Sequence, residues 1–477
     1  MTSRIDHDDL FIAGAFVRAS AAERFTAVNP ATEEVVGTVP VANAADVDRA
    51  VSAARTAFGS WSRTSPAERG EILGRIADEF GKRAPEITNL VARQNGAPRW
   101  WVEQEISIAE AVYRNAAKKA ARVVEEEFLP GGEHGTIVRR EPLGVVAAIA
   151  PWNGPEALLG MKLAAVIAAG CAVVAKPAPE TSLDAFLLAE AFRAAGLPDG
   201  VFNLVTGGAG TGQALIAHPG IDKVSFTGST EAGRAIGAAC AGALKEFLAE
   251  LGGKSGAVLL GDADLDTFAD SIPWRCLPFS GQVCHAITRV IAPRARHQEV
   301  LERMTAKINS LPYGDPADPQ TILGPVATSG QRDRVENYLR IGRDEGARLV
   351  LGGGRKRGFA AGYYLEPTIF TDTNPSMRIF AEEIFGPVIS VALYDTEDEA
   401  AALHDATDFG LSGSVFSTDI EHATAFARRI RTGEVLINGK HGAPNVDLVR
   451  SFYKHSSLGG GIDLIPGYQL IKSIPRG

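Results

Sequence analysis

From Gly144 onward, short continuous apolar runs alternate with longer runs of helical character. Val145 to Ala150 is followed by Leu158 to Ala169, Ala172 to Ala175 by Leu183 to Ala195, and Val201 to Val205 by Gly212 to Ala217. Lys223 to Phe226, Ala232 to Cys240 and Phe247 to Leu251 continue the series. Apolar strands separated by amphipathic helices predict βαβ units and a parallel sheet buried on both faces. Such a sheet holds its ligands at the carboxyl ends of its strands. Gly170 and Gly196 close two of the helices, and Pro198 follows two residues after the second. Glycine, proline and charge replace the periodic pattern at Pro312 to Pro319 and Gly352 to Gly362, which predicts loops there.

Earlier in the chain, Val123 to Arg140 reads VVEEEFLPGGEHGTIVRR, two strands joined through Gly131 and Gly132. Two readings fit: a hairpin whose edges a second subunit covers, or a surface hairpin of a monomer.

A length of 477 residues suggests about three structural units. Hydrophobic residues at 45% and charged residues at 22% describe an ordinary globular protein. The most apolar stretch, Leu163 to Ala175, is too short to span a bilayer and is bracketed by Lys162 and Lys176. A buried helix running into a buried strand accounts for it, and no membrane partner is expected. A net charge of -9 without a basic run argues against nucleic acid. Met1 to Leu10 lacks the basic start and apolar middle of a secretory signal, so a cytoplasmic location is expected. Cys171, Cys240, Cys276 and Cys284 form no C-x-x-C pair, which suggests neither a metal site nor a disulfide framework.

Several residues stand where a doubly wound sheet keeps its chemistry. Pro151-Trp152-Asn153 follows the first strand directly, where a side-chain amide serves either as an oxyanion donor or as a turn residue. Lys176 ends the next strand. Gly228-Ser229 ends a third, with Gly233 one helical turn later. A strand, small residues and then a helix N-terminus suit a phosphate, because free N–H groups and the helix dipole face an anion there. Gly253-Lys254-Ser255 is no Walker A loop, since that motif places a glycine where Leu248 stands. Cys284 lies among small and polar residues, Phe279 to His285, unlike the apolar settings of Cys171 and Cys240. By residue type it fits an inert thiol as well as a nucleophile. Glu250 precedes two glycines and reads either as a base with a raised pKa or as a solvated carboxylate paired with Lys254 or Lys245. Glu383 carries the same ambiguity.

Taken together, PWN at Pro151, FTGS at Phe226, ELGGK at Glu250, GQVC at Gly281 and EEIFGP at Glu382 resemble the aldehyde dehydrogenase superfamily, in order and spacing, from about Leu10 to the C-terminus. The resemblance implies an α/β fold with three parts. These are a parallel-sheet dinucleotide-binding domain over 1–120 and 143–252, a catalytic α/β domain over 253–444, and an oligomerisation arm with the C-terminal segment over 121–142 and 445–477. It implies NAD(P)-dependent oxidation of an aldehyde to an acid through a thioester on Cys284, with Glu250 activating the deacylating water and Asn153 donating to the oxyanion. It makes Trp152, Lys176, Gly228, Ser229, Glu383 and Phe385 the cofactor contacts, and it implies a homodimer or homotetramer. The presence of Glu250 argues against the relatives that pass the acyl group to coenzyme A.

The sequence departs from the family pattern at the substrate end. Gly154 stands where a bulky apolar residue is common, and of Arg450 to Gly460 only Tyr453, Lys454, Ser456 and Gly459 fit the usual C-terminal motif. Gly154, with Trp100 and Trp101 nearby, suggests a bulky aromatic or apolar substrate. Pro179 occupies the position where a Glu disfavours a 2'-phosphate, with Glu180 one residue on, so NAD is expected while NADP stays possible. Two other classes compete: a thiol-dependent acyl hydrolase using Cys284 with His285, and a non-catalytic member of the fold.

Overall fold

The structure, a computed structural model, describes residues 4–131, 134–440 and 451–476. Gly132 of the hairpin and Arg450 of the C-terminal motif lie outside the described residues.

The predicted alternation is present. Strands Val145–Ile149, Ala172–Lys176, Phe202–Leu204, Lys223–Thr227 and Glu246–Glu250 are parallel neighbours, and helices Pro155–Ala169, Asp184–Ala194, Ala209–Ala217 and Thr230–Gly242 connect them. The first strand lies in the middle. The chain winds outward to one side through Ala172–Lys176 and then returns to the other through Lys223–Thr227. The strand order therefore reverses between Val145–Ile149 and Lys223–Thr227, the place where open sheets of this kind bind ligands. All residues of the first four strands are buried, which accounts for their mostly apolar sequences. Helix Pro155–Ala169 is buried almost all round, because the helix Arg99–Ala120 covers the side that the sheet does not. Pro155 starts it and Gly170 ends it at φ 87°.

Antiparallel strands extend this sheet to eight. Asp9–Ile12 and Ala15–Arg18 add one edge, and Ser457–Leu458 pairs with Glu246–Glu250 at the other. The segment expected to accompany the arm thus also supplies a strand to the large sheet. A second sheet of seven strands carries Ser255–Leu259 and Ile287–Pro293 at its centre, and all its pairings are parallel except that of Arg348–Leu351. The two predicted loops fall outside its strands. Glu126–Leu129 and Thr136–Pro142 form the expected hairpin, which is joined by the terminal strand Gln469–Pro475 into a three-stranded antiparallel sheet. Among the described residues no helix is long and apolar enough to cross a membrane.

Candidate active site

Cys284 sits on a loop held in an uncommon backbone conformation. Phe279, Ser280 and Gly281 take φ values of 45°, 53° and 75° in succession, and strain of this kind concentrates at functional sites. Two contacts explain how the loop is held. Ser280 Oγ donates to the Gly324 carbonyl at 2.7 Å. Gln282, fully buried, accepts from the Ala327 N–H at 2.9 Å and donates to the Phe279 carbonyl at 3.1 Å. A Cβ at Gly281 would come within 2.3 Å of the Gly386 carbonyl oxygen, so this turn needs a glycine for space as well as for φ. Gln282 was not singled out by sequence, although the glutamine within GQVC was its visible signal.

The other three cysteines are buried in apolar clusters, with burial raising the thiols of Cys171 and Cys276 to about 11 and about 12. Cys284 alone is partly exposed. Its thiol is pushed well above its ordinary value, first by burial and then by the carboxylates of Glu250 and Glu383, while the His285 backbone N–H acts in the opposite sense. At rest the sulfur is therefore a neutral thiol.

Glu250 ends the strand Glu246–Glu250 and lines the same two cavities as that thiol, close enough for its carboxylate to raise it. Burial pushes its carboxyl up to about 7. Oε2 is buried without a partner, and neither proposed lysine reaches it. Lys245 donates to the carbonyls of Ile216 and His218, and Lys254 is itself buried with its Nζ unpartnered. Lys162 is the cation that pulls Glu250 back down, and it is fixed by Ser225 at 2.9 Å and by Asp463 at 3.2 Å. Ser456 ties the strand end to the C-terminal segment, donating to the Gly252 carbonyl at 2.7 Å and accepting from the Gly410 N–H at 3.0 Å. Lys454 donates to the carbonyls of Asp405 and Thr407. The residues that fit the family motif are thus the ones that dock this segment.

Asn153 is buried, and its amide donates to the Gln282 carbonyl at 3.1 Å, which holds it against the Cys284 loop. Two cavities meet here. One, of about 900 Å³, runs past Trp152, Asn153, Gly228, Ser229, Thr230, Glu383 and Phe385. The other, of about 680 Å³, runs past Trp100, Trp101, Met161 and Trp274. Both are lined by Leu158, Thr227, Glu250 and Cys284.

The first cavity fits a dinucleotide. Its wall includes the N-terminus of helix Thr230–Gly242, capped by Ser229 Oγ, which accepts from the Ala232 N–H at 3.2 Å. Thr230 Oγ1 is buried there without a partner. Glu383 accepts from the Gly253 N–H at 2.9 Å, with burial raising its carboxyl to about 7. Phe385 stands edge-on to Trp152, with ring centroids 5.5 Å apart. Lys176 is not in this wall. It is buried at its strand end, with Nζ donating to the carbonyls of Pro177 and Gly207 at 3.0 Å each and with Glu180 as its nearest carboxylate. Burial lowers it to about 8.

Trp100 and Trp101 line the second cavity, and Trp274 stands edge-on to Trp100 at 4.7 Å. Gly154 does not open this cavity as its missing side chain suggests. A Cβ there would lie 2.5 Å from Glu105 Oε2, so the carboxyl of Glu105 already fills the space. Sequence shows no sign of this, since Glu105 is one of several charged residues on an amphipathic helix.

The whole architecture has known counterparts. Residues 16–466 match the aldehyde dehydrogenase family, and the chain belongs to that family. It is 43% identical over 476 residues to the geranial dehydrogenase of Castellaniella defragrans, covering 98% of this chain and 99% of that one. It is 39% identical over 436 residues to a 3-succinoylsemialdehyde-pyridine dehydrogenase of a Pseudomonas species, covering 91% of each. A crystal structure of aldehyde dehydrogenase C from Pseudomonas syringae, a cysteine-to-alanine mutant in complex with NAD+ and octanal, superposes with a TM-score of 0.93 at 40% identity, covering 98% of this chain and 96% of that one. The Mycobacterium tuberculosis aldehyde dehydrogenase complexed with NAD+ gives 0.95 at 40% identity, covering 99% and 98%.

Proposed function

We propose that this chain oxidises an aldehyde to a carboxylic acid with NAD, using Cys284 as nucleophile and Glu250 as base. The observation that carries this is that Cys284 and Glu250 both line the stretch where the two cavities meet. Glu250, once ionised, takes the thiol proton, and the thiolate adds to the aldehyde carbon. The amide of Asn153 and the Cys284 backbone N–H then face the developing oxyanion. When bound, NAD supplies the hydride acceptor, and the acyl group is left as a thioester on Cys284. Glu250 releases the thiol proton to solvent and, ionised again, draws a proton from water; the hydroxide adds to the thioester carbon, and the Cys284 thiolate leaves as the acid forms. The unpartnered Oε2 of Glu250 gives that water an acceptor. The acyl-hydrolase alternative loses ground because the base beside the thiol is a carboxyl.

In this reading Gly228, Ser229 and Thr230 hold the pyrophosphate with Trp152, and Glu383 and Phe385 hold the nicotinamide half. Lys176 and Glu180 form the adenosine end, and a carboxylate there favours NAD over a 2'-phosphate. The spans 1–120 with 143–252, and 253–444, serve as cofactor and catalytic domains. The arm, 121–142 with 445–477, joins subunits into a dimer or tetramer: Phe128, Leu129, Leu470 and Ile471 are each about half exposed or more on its strands. Unpaired cysteines suit a cytoplasmic setting. The tryptophan wall favours a bulky apolar or aromatic aldehyde. Incubating the protein with a panel of aldehydes and NAD, and recording reduced nicotinamide, tests the activity. Absence of product from every aldehyde overturns it.

A further inference from the structure

One group in the substrate cavity has no place in this chemistry. Glu105 projects from the helix Arg99–Ala120 into the cavity lined by Trp100, Trp274 and Cys284. Its Oε2 is buried without a hydrogen-bond partner, and no cation contributes to its environment, so burial alone raises its carboxyl to about 8. Leaving a buried carboxyl unsatisfied is costly, and a group kept in that condition against a cavity points to a missing partner. The backbone opposite favours the same reading. Gly154 has φ -155°, which any residue adopts, yet a side chain there would drive into Glu105 Oε2 at 2.5 Å. The carboxyl is seated in the space that the missing side chain leaves, and a side chain at 154 would displace it.

We infer that Glu105, seated against Gly154, is a substrate-specificity residue that pairs with a hydrogen-bond donor, a hydroxyl or an ammonium, on the part of the aldehyde away from its reacting carbon. This rests on the oxidation of aldehydes proposed above and names the polar feature its substrate carries. The tryptophans serve both candidates: they pack the apolar body of the substrate, and they attract a cation over their faces.

The test uses the full chain and unbranched aldehydes of graded length, each ending in methyl, hydroxyl or ammonium, with kcat/KM measured for wild type, Glu105→Leu and Glu105→Gln. The expected result is that a donor-ended aldehyde is preferred to its methyl-ended match by about tenfold or more, and that Glu105→Leu abolishes this preference while keeping the methyl-ended rates. Glu105→Gln retains the preference for hydroxyl and loses that for ammonium, which separates the two donors. Gly154→Ala reduces the preference without changing charge. A wild-type enzyme indifferent to the chain end overturns the inference, as does a Glu105→Leu variant that loses all aldehydes equally or is only less stable. If no aldehyde is oxidised, the proposed activity has failed instead, and equilibrium dialysis of the same aldehydes against wild type and Glu105→Leu still decides whether Glu105 selects donor-ended ligands.

Discussion

Gly253 lies so close to Cys284 that a Cβ on it would stand 2.2 Å from the Cys284 carbonyl oxygen. Gly253, three residues after Glu250, thus sets how near the Cys284 loop approaches the end of that strand. Gly253→Ala must push that loop away, and displacements of an ångström cost about 10²-fold in catalysis. The variant is expected to fold and to lose about that factor in kcat. Wild-type kcat with an unchanged melting temperature contradicts the placement.

Cys284→Ala should abolish aldehyde oxidation, whereas Cys171→Ala, Cys240→Ala and Cys276→Ala keep most of it. The three other thiols are buried in apolar clusters. Steady-state kinetics on the four variants decide it, and an essential Cys276 would refute the assignment.

Glu250→Gln separates the two halves of the reaction. Reduced nicotinamide should appear in at most one burst per active site, followed by a steady rate lowered by about 10²-fold or more. An acyl adduct on Cys284 should then be visible by intact mass. Wild-type turnover without an adduct removes Glu250 from the mechanism.

The pH dependence follows from the direction of the shift. A base works only when ionised, and burial raises Glu250 to about 7, so kcat should climb as pH rises through about 7. The Cys284 thiol, held above its ordinary value, extends the climb upward, and the limb belongs to the pair. In Glu250→Gln the limb centred near 7 should vanish from the kcat profile. Its persistence there assigns it to another group.

Stability should move the opposite way. Glu105, Glu250 and Glu383 hold protons in the folded chain at pH values where the unfolded chain has released them. The folded state then binds more protons, and stability falls as pH rises from about 4.5 towards about 8. Melting curves across that range should show the decline, and Glu105→Gln should flatten its upper part. An unchanged slope indicates that Glu105 is already ionised.

The parallel strands were readable because burial on both faces leaves them no polar residue to interrupt the run, as in Val145–Ile149 and Ala172–Lys176. The motif residues were readable because the glycines beside them are required by close approaches, as at Gly253 and Gly281. Ser457–Leu458 carried no such sign, since two residues are too few to show a period and their partner strand lies some two hundred positions earlier. Gly154 misled for a related reason. A missing side chain signals space only when nothing else fills it, and what fills it here comes from a helix about fifty residues away.

The meeting of two cavities at one sulfur has a bearing on traffic through the enzyme. In the proposed reading aldehyde and dinucleotide occupy different cavities, which have Leu158, Thr227, Glu250 and Cys284 in common. On that reading an acid formed at Cys284 would depart through the tryptophan-lined cavity with the dinucleotide still in the other. A molecule long enough to reach into both cavities would then lie across the sulfur and compete with both ligands at once.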